Sequence, residues 1–295
     1  MNRRDLMRIG SAALLGCASP SLAGAAGDDA KKRKVLYFTR SAGVEHEVVK
    51  QSGAGPSHSG KNLIEMGRRS GFEVECTKDG RVFDGDLSQY DAIAFYTSGD
   101  LTQSAKDGSP PMTAAGKRKL LDTISSGKGF AGFHSAADTF HSKGPLGESQ
   151  AEVDPYIAML GGESLAHGAA QEASLLATSQ FLIRNIGVPS QGLSFTEEWF
   201  TFKNFSQDLH VLLAQETRYM RGDAYRRPDY PSTWVRMHGR GRVFYTSLGH
   251  REDVWTNPFF HAIAQAGLGW VMGGFDYDIT PNIGKVTPQA NQLKA

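Results

Sequence analysis

The chain has 295 residues, of which 40% are hydrophobic and 21% are charged. This composition is typical of a globular protein with enough apolar residues for one large domain or two small ones. The formal net charge is only +1, and the longest basic run, at 31–34, has four residues. Neither a nucleic acid nor a membrane surface is therefore indicated as a partner.

Residues 1–26 have the order of features that marks a secretory signal peptide. Arg3 and Arg4 precede an apolar stretch at 9–16, and small residues follow up to an Ala-x-Ala cleavage pattern. The adjacent arginines favour the twin-arginine type, so we expect export to the periplasm or another extracytoplasmic location. The apolar stretch is too short to span a bilayer, so no transmembrane segment is predicted.

The two cysteines bear on anchoring and on disulfides. Leu14-Leu15-Gly16-Cys17 resembles a lipoprotein box, so lipid attachment at Cys17 is an alternative to release of a cleaved protein. Without the signal peptide, Cys76 would be the remaining cysteine and could form no internal disulfide.

In chain order, the first half alternates between predicted strands and helices. Apolar runs predict buried strands, and amphipathic spacing predicts two helices, the second with Thr113 as its N-cap. The predicted elements are a strand at 34–39, a helix at 61–69, strands at 72–77 and 91–97, a helix at 113–126 and a strand at 129–133. This alternation predicts an α/β fold with a doubly wound, mainly parallel sheet.

The second half contains more strands than helices. Strands are predicted at 195–200, 210–214, 233–237 and 242–247, and a final helix at 258–270. The last two strands flank His238-Gly239-Arg240-Gly241, whose glycines allow the positive φ angles of a hairpin turn. We expect a β-rich second half added to the parallel sheet, followed by an extended polar tail at 276–295.

Histidines follow the predicted strands at the ends where an open parallel sheet binds ligands. His46 lies after the first strand, His134 directly after the fourth, and His250 after the last. His167 lies in a loop that could fold over the same edge. Clustered imidazoles can bind a divalent metal such as zinc or carry out acid–base chemistry, so these histidines are candidate ligands. Four unrelated loop histidines are the alternative.

Three other residues are considered for a substrate site, and one loop is considered for a nucleotide-binding site. Glu197 and Glu198 are adjacent on a predicted strand, so they point to opposite faces and at most one is expected in a given pocket. Trp234 could stack against a sugar ring, although a core position explains it equally well. The glycine-containing loop at 53–56 has no lysine at the spacing of a phosphate-binding loop, so no nucleotide cofactor is expected.

Four motifs, in order, resemble the ThuA-like, trehalose-utilisation family. They are Gly132-Phe133-His134-Ser135-Ala136-Ala137-Asp138, Leu160-Gly161-Gly162 with His167, Glu197-Glu198-Trp199-Phe200, and Gly239-Arg240-Gly241-Arg242-Val243-Phe244-Tyr245 running to Gly249-His250. Glu197 replaces the Asp that is usual at its position and leaves a carboxylate there. The resemblance implies a single ThuA-like domain at 33–275 with the flavodoxin-like fold of class I glutamine amidotransferases.

The resemblance also bears on the reaction. Class I amidotransferases need a cysteine at the elbow after a strand, where this chain has His134 and Ser135. Cys76 lies inside the second strand instead, so no thiolate is available at the elbow and glutamine hydrolysis is not expected. The family instead implies an enzyme of carbohydrate breakdown that cleaves a 3-keto-glycoside by elimination or hydrolysis.

That function assigns candidate roles to the motif residues. His134, Glu198 and Ser135 are catalytic candidates, and Asp138, Glu197 and Trp234 are substrate-binding candidates. A hydrolase with Ser135 as nucleophile and a non-catalytic, exported sugar-binding domain are the two alternatives. A carbohydrate is the expected partner, and assembly into a homo-oligomer stays open.

Overall fold

The computed structural model describes residues 32–51 and 53–294. The predicted signal peptide at 1–26, with Cys17, lies outside the described residues, so export and lipid attachment stay predictions. Within the described part of the chain, no helix is both long and apolar enough to cross a membrane.

The first half alternates between strands and helices, as its sequence predicts. Its elements are β1 (Arg33–Phe38), α1 (His58–Ser70), β2 (Phe72–Thr77), β3 (Ala92–Phe95), α2 (Ala114–Ser125) and β4 (Gly129–Phe133). Thr113 caps α2 as predicted, since its Oγ1 accepts the backbone N–H of Gly116 at 2.8 Å. Helix α1 begins three residues earlier than expected because Ser57 caps it, with Oγ accepting the N–H of Gly60.

The second half is richer in strands. Its elements are α3 (Pro155–Leu160), β5 (Glu163–His167), β6 (Gln171–Ala177), β7 (Leu193–Glu197), β8 (Phe200–Lys203), β9 (His210–Gln215), β10 (Tyr230–His238), β11 (Gly241–Thr246), α4 (Pro258–Val271) and α5 (Ile283–Val286). The single strand predicted at 195–200 is wrong. The chain turns between β7 and β8, because β7 pairs with β6 whereas β8 pairs with β5 in a separate sheet.

Among the described residues, nine strands form one sheet in the order β2-β1-β3-β4-β11-β10-β9-β6-β7. In this order, the five strands from β2 to β11 are parallel to their neighbours. From β11 onward, through β10, β9, β6 and β7, each strand is antiparallel to the one before it. The order of the parallel half is that of a flavodoxin-like sheet. The predicted α/β fold with an added β-rich second half is therefore confirmed.

The parallel half is buried on both faces. Along β1, Val35 and Tyr37 face the layer that contains α1 and α4, and Leu36 and Phe38 face the layer that contains α2 and α3. A strand covered on both sides needs apolar residues at every position, which explains the continuous apolar run in its sequence. The carboxyl ends of these strands lie together at one edge of the sheet.

The segment predicted as an extended tail packs against the body of the domain. Ile283 in α5 and Ala290 are buried. The side chains of Asn282 and Asn291 accept the backbone N–H groups of Val211 and Phe205 at 2.6 and 2.8 Å. These two asparagines therefore pair with the backbone of the domain, which the sequence composition alone does not reveal.

A buried polar cluster joins the loop after β4 to β5. The fully buried Glu163 accepts hydrogen bonds from the Ser142 hydroxyl at 2.6 Å and from His141 Nδ1 at 3.0 Å. His141 Nε2 lies 2.8 Å from Asp138 Oδ1. Hydrogen bonds to Asp138 and to Glu163 raise the pKa of His141 to about 9, so this imidazole is charged at neutral pH.

We expect His141→Gln to destabilise the fold more at acidic than at alkaline pH. Because the pKa of His141 is higher in the folded state, its stabilising contribution is complete below the unfolded pKa of 6.5 and is lost as the pH rises through about 9. Urea denaturation should give a larger difference in free energy of unfolding between wild type and variant near pH 6 than near pH 10. An equal difference at both pH values would contradict the ion pairs.

Candidate metal centre

Three histidines converge at the carboxyl edge of the sheet. His46 follows β1, His134 follows β4 and His250 follows β11. The ring centroids are 4.9 Å apart for His46 and His134, 5.3 Å for His46 and His250, and 5.2 Å for His134 and His250. The imidazoles that the sequence predicts to share a site therefore lie together.

Glu198 completes a group of four. Its Oε2 lies 3.9 Å from His46 Nε2, 4.0 Å from His134 Nε2 and 3.8 Å from His250 Nε2. One ligand atom from each of the four side chains falls within 4.8 Å of the others. Zinc bonds to nitrogen and oxygen of about 2.0–2.2 Å place tetrahedral ligand atoms roughly 3.3–3.5 Å apart, so a small contraction would bring all four onto one ion. The group could therefore hold a divalent metal.

A backbone carbonyl selects the tautomer of His134. The Nδ1 atom lies 2.8 Å from the Ser247 carbonyl oxygen, which can only accept, so Nδ1 carries the proton. The Nε2 atom is left with its lone pair directed at the group, and it is buried with no hydrogen-bond partner among the described residues. This is the arrangement that orients a metal-ligating histidine.

Burial keeps these imidazoles neutral. Desolvation, together with the neighbouring His250 and His167, lowers the pKa of His46 to about 4. Burial and the neighbouring histidines hold the pKa of His134 well below its usual range, and burial lowers the pKa of His250. A neutral imidazole is the form that binds metal, so the site is ready for an ion at pH 7 without losing protons from these rings.

The backbone at His134 is strained. Its φ of 42° lies in the left-handed region, at the elbow where β4 ends and a one-turn helix, His134–Asp138, begins. The hydroxyl of Tyr245 donates to the His134 carbonyl at 2.6 Å and helps to hold this conformation. Strain of this kind is concentrated at functional sites. The residue that the elbow directs into the site is thus His134.

Ser135 does not have the surroundings of a nucleophile. Its side chain is buried, and its Oγ has no hydrogen-bond partner among the described residues. A catalytic serine needs a base within hydrogen-bonding reach. The structure therefore does not support the alternative of a Ser135-dependent hydrolase.

Two predicted substrate-binding residues are inaccessible. Glu197 is fully buried, and its Oε1 accepts the N–H of Gly249 at 2.7 Å and of His250 at 3.1 Å. Burial raises the pKa of Glu197 to about 8. Trp234 is also fully buried, and its indole N–H donates to the Leu160 carbonyl at 2.8 Å. Neither side chain exposes a face to a ligand, so the structure gives no support to the prediction that Glu197 and Trp234 bind substrate.

Two predicted residues lie at the exposed rim. The His167 side chain is 46% exposed, and its Nδ1 lies 3.3 Å from the other oxygen of Glu198, Oε1. His167 is therefore beside the four-residue group and not a member of it, in contrast to its assignment as a candidate ligand. Asp138 is 29% exposed, and its Oδ1 accepts from the Ser164 hydroxyl at 2.8 Å.

Sequence reasoning missed the aromatic residues that surround the histidines. The Tyr96 ring centroid lies 5.6 Å from that of His46 and 5.7 Å from that of His134, and the Tyr96 hydroxyl donates to the Gly249 carbonyl. The Phe200 ring lies 4.8 Å from that of His134. A signal for Tyr96 existed, because it directly follows β3 and so belongs to the same carboxyl edge as the histidines.

Fold and site together define a class: a flavodoxin-like α/β domain in which a candidate metal ligand occupies the elbow after β4. Residues 34–271 match the model of the family described as ThuA, trehalose utilisation. The chain belongs to the ThuA family.

Solved structures with the same fold include two ThuA-like proteins. One, from Bacteroides uniformis ATCC 8492, is 18% identical with a TM-score of 0.58, and the match covers 84% of this chain and 94% of that one. The other, from Parabacteroides merdae ATCC 43184, is 16% identical with a TM-score of 0.54 and covers 85% and 94%. A β-galactosidase from Rahnella sp. R3 is weakly similar, with 14% identity, a TM-score of 0.47 and coverage of 82% and 31%. No curated protein matches the chain.

The strain at His134 predicts an unusual order of stability for two variants. His134→Asn should be more stable than His134→Val by about 1–2 kcal/mol, because Asn tolerates the left-handed region and a β-branched residue does not. Urea denaturation at pH 7 measures the difference. The same pair of substitutions at His250, which lacks a positive φ, is the control and should show a smaller gap. Equal gaps at the two positions would contradict the strained elbow.

Proposed function

We propose that this chain is a metal-dependent enzyme that cleaves a glycoside carrying a ketone at C3. The observation that carries the proposal is the meeting of three imidazole nitrogens and the Glu198 carboxylate within 4.8 Å. The buried, unpaired Nε2 of His134 supports it, since such an atom calls for a partner. This donor set suits Zn²⁺ or a similar ion, which His46, His134, His250 and Glu198 would hold.

The substrate class comes from the family and from chemistry. The family is described by trehalose utilisation, which supports a carbohydrate substrate. A ketone at C3 acidifies the neighbouring C2–H, so a base can remove that proton. The electrons of the C2–H bond form a C1=C2 double bond as the C1–O bond breaks, and the C1–O electron pair leaves with the departing oxygen, which takes up a proton. A bound divalent ion that takes the ketone oxygen as a further ligand would supply Lewis-acid stabilisation of that oxygen.

His167 is the candidate general base. It is partly exposed, lies outside the four ligands, and has Glu198 Oε1 at 3.3 Å to orient its ring. His134 is fully buried and is committed to the centre, so the proposal moves acid–base work from His134 to His167. The partly exposed carboxylate of Asp138 is available to accept a hydrogen bond from a sugar hydroxyl.

We expect two histidine variants to fail in different ways. His134→Ala should lose both the bound metal and the activity, because a ligand is removed. His167→Ala should keep the metal but lose roughly 10²–10⁴ in kcat, as is usual for a general base. The matched control is His238→Ala, in the β10–β11 turn at the opposite edge of the sheet, which should behave as wild type.

The assay compares a disaccharide with its 3-keto form, with and without a chelator, and follows release of free sugar. Metal content is measured on the same samples by mass spectrometry. Turnover of the keto form alone, abolished by the chelator, is the expected result. Binding of both saccharides without turnover would refute the enzymatic proposal and favour a sugar-binding domain.

We further propose that the protein is exported by the twin-arginine route. The proposal rests on Arg3 and Arg4 ahead of an apolar stretch, together with a domain large enough to fold before transport. Replacing both arginines with lysine should leave the precursor in the cytoplasm, as cell fractionation and immunoblotting would show. Processing of the variant at the wild-type rate would contradict this route.

A further inference from the structure

Glu197 links the loop that carries His250 to the end of β7. Its side chain is fully buried, so it cannot contact substrate. One oxygen, Oε1, accepts the backbone N–H of Gly249 and of His250. Because these two donors hold the same oxygen, the other oxygen has a defined direction.

That other oxygen faces the His250 ring. Glu197 Oε2 and His250 Nδ1 are 3.9 Å apart, and both are buried with no hydrogen-bond partner among the described residues. A buried polar atom without a hydrogen bond costs free energy, and here two such atoms face each other. A small rotation of the imidazole would bring them into hydrogen-bond distance.

His134 already has the corresponding contact. Its Nδ1 donates to the Ser247 carbonyl, which leaves Nε2 for the group of four. His250 directs its Nε2 at the same group, 3.8 Å from Glu198 Oε2, but its Nδ1 has no such partner yet. Glu197 Oε2 is placed to be the hydrogen-bond acceptor for His250 Nδ1.

We propose that Glu197 is a positioning residue for the metal ligand His250. A divalent cation bound at His250 favours the charged form of Glu197 over the neutral form that burial alone favours. In the metal-loaded protein Oε2 therefore accepts the Nδ1–H of His250, which leaves the ring with its lone pair on Nε2, while Oε1 continues to hold the loop. This inference rests on the metal centre of the proposed function. It adds to that centre a carboxylate that hydrogen-bonds the ring nitrogen of His250 on the side away from the metal.

A glutamine cannot replace Glu197 in this role. The loop side needs an acceptor for two N–H groups, and the ring side needs an acceptor for Nδ1–H. The glutamine amide has one acceptor and one donor, so one side must lose its hydrogen bond. If Glu197 served only to anchor the loop, glutamine would suffice, because its single oxygen could face the backbone.

The experiment measures Zn²⁺ affinity by competition with a chromophoric chelator for wild type, Glu197→Gln and Glu163→Gln. Glu163 is an equally buried carboxylate outside the four-residue group, so its variant is the matched control. We expect about 10–100-fold weaker binding for Glu197→Gln, the usual cost of removing an outer partner of a ligand, and wild-type affinity for Glu163→Gln. Thermal unfolding without metal shows whether each variant is folded.

A second measurement uses the wild type alone and does not depend on a variant that folds. In the Zn²⁺-loaded protein, NMR should show a His250 Nδ1–H proton protected from exchange with water. Wild-type affinity in Glu197→Gln, or rapid exchange of that proton, would overturn the role of Glu197 and leave the metal centre intact. Failure of the wild type itself to bind Zn²⁺ would overturn both.

Discussion

The site depends on the burial of neutral imidazoles. His134 is completely buried, and burial with its histidine neighbours holds its pKa well below the usual range. Lone pairs that face one another without a proton between them repel, so a protein must impose this arrangement through its backbone. At His134 the arrangement is held by the hydrogen bond from Tyr245 to its backbone, which has a strained φ, and by the hydrogen bond from its Nδ1 to the Ser247 carbonyl.

The loop after β11 is held from three directions. Trp255 Nε1 and the Tyr96 hydroxyl both donate to the Gly249 carbonyl, at 2.7 and 3.1 Å. Glu197 accepts the N–H groups of Gly249 and His250 from the other side. A side chain on a loop is positioned precisely only if the loop backbone is fixed. These contacts fix the backbone that carries His250.

The antiparallel half of the sheet adds a carboxylate to the group of histidines. A flavodoxin-like sheet alone brings His46, His134 and His250 to one edge. The antiparallel strands add β7 and the turn after it, and this turn supplies Glu198 to the same edge. With His134 at the elbow, the edge offers candidate nitrogen and oxygen ligands for a metal ion.

The sequence by itself determined the α/β class, the parallel half and the meeting of three histidines, because apolar runs set the strands and strand ends share an edge. It also identified the elbow at His134. Only the tertiary structure decided whether the side chains of Glu197, Glu198 and Trp234 lie in the core or at the site. Glu197 and Trp234 lie in strands, and Glu198 lies in the turn after β7. Contacts with distant parts of the chain, such as Gly249 for Glu197 and Leu160 for Trp234, decide which of these side chains is buried, so no local pattern shows it. Burial and hydrogen-bond partners, which assign Trp234 to the core and Glu198 to the site, are properties of the packed domain alone.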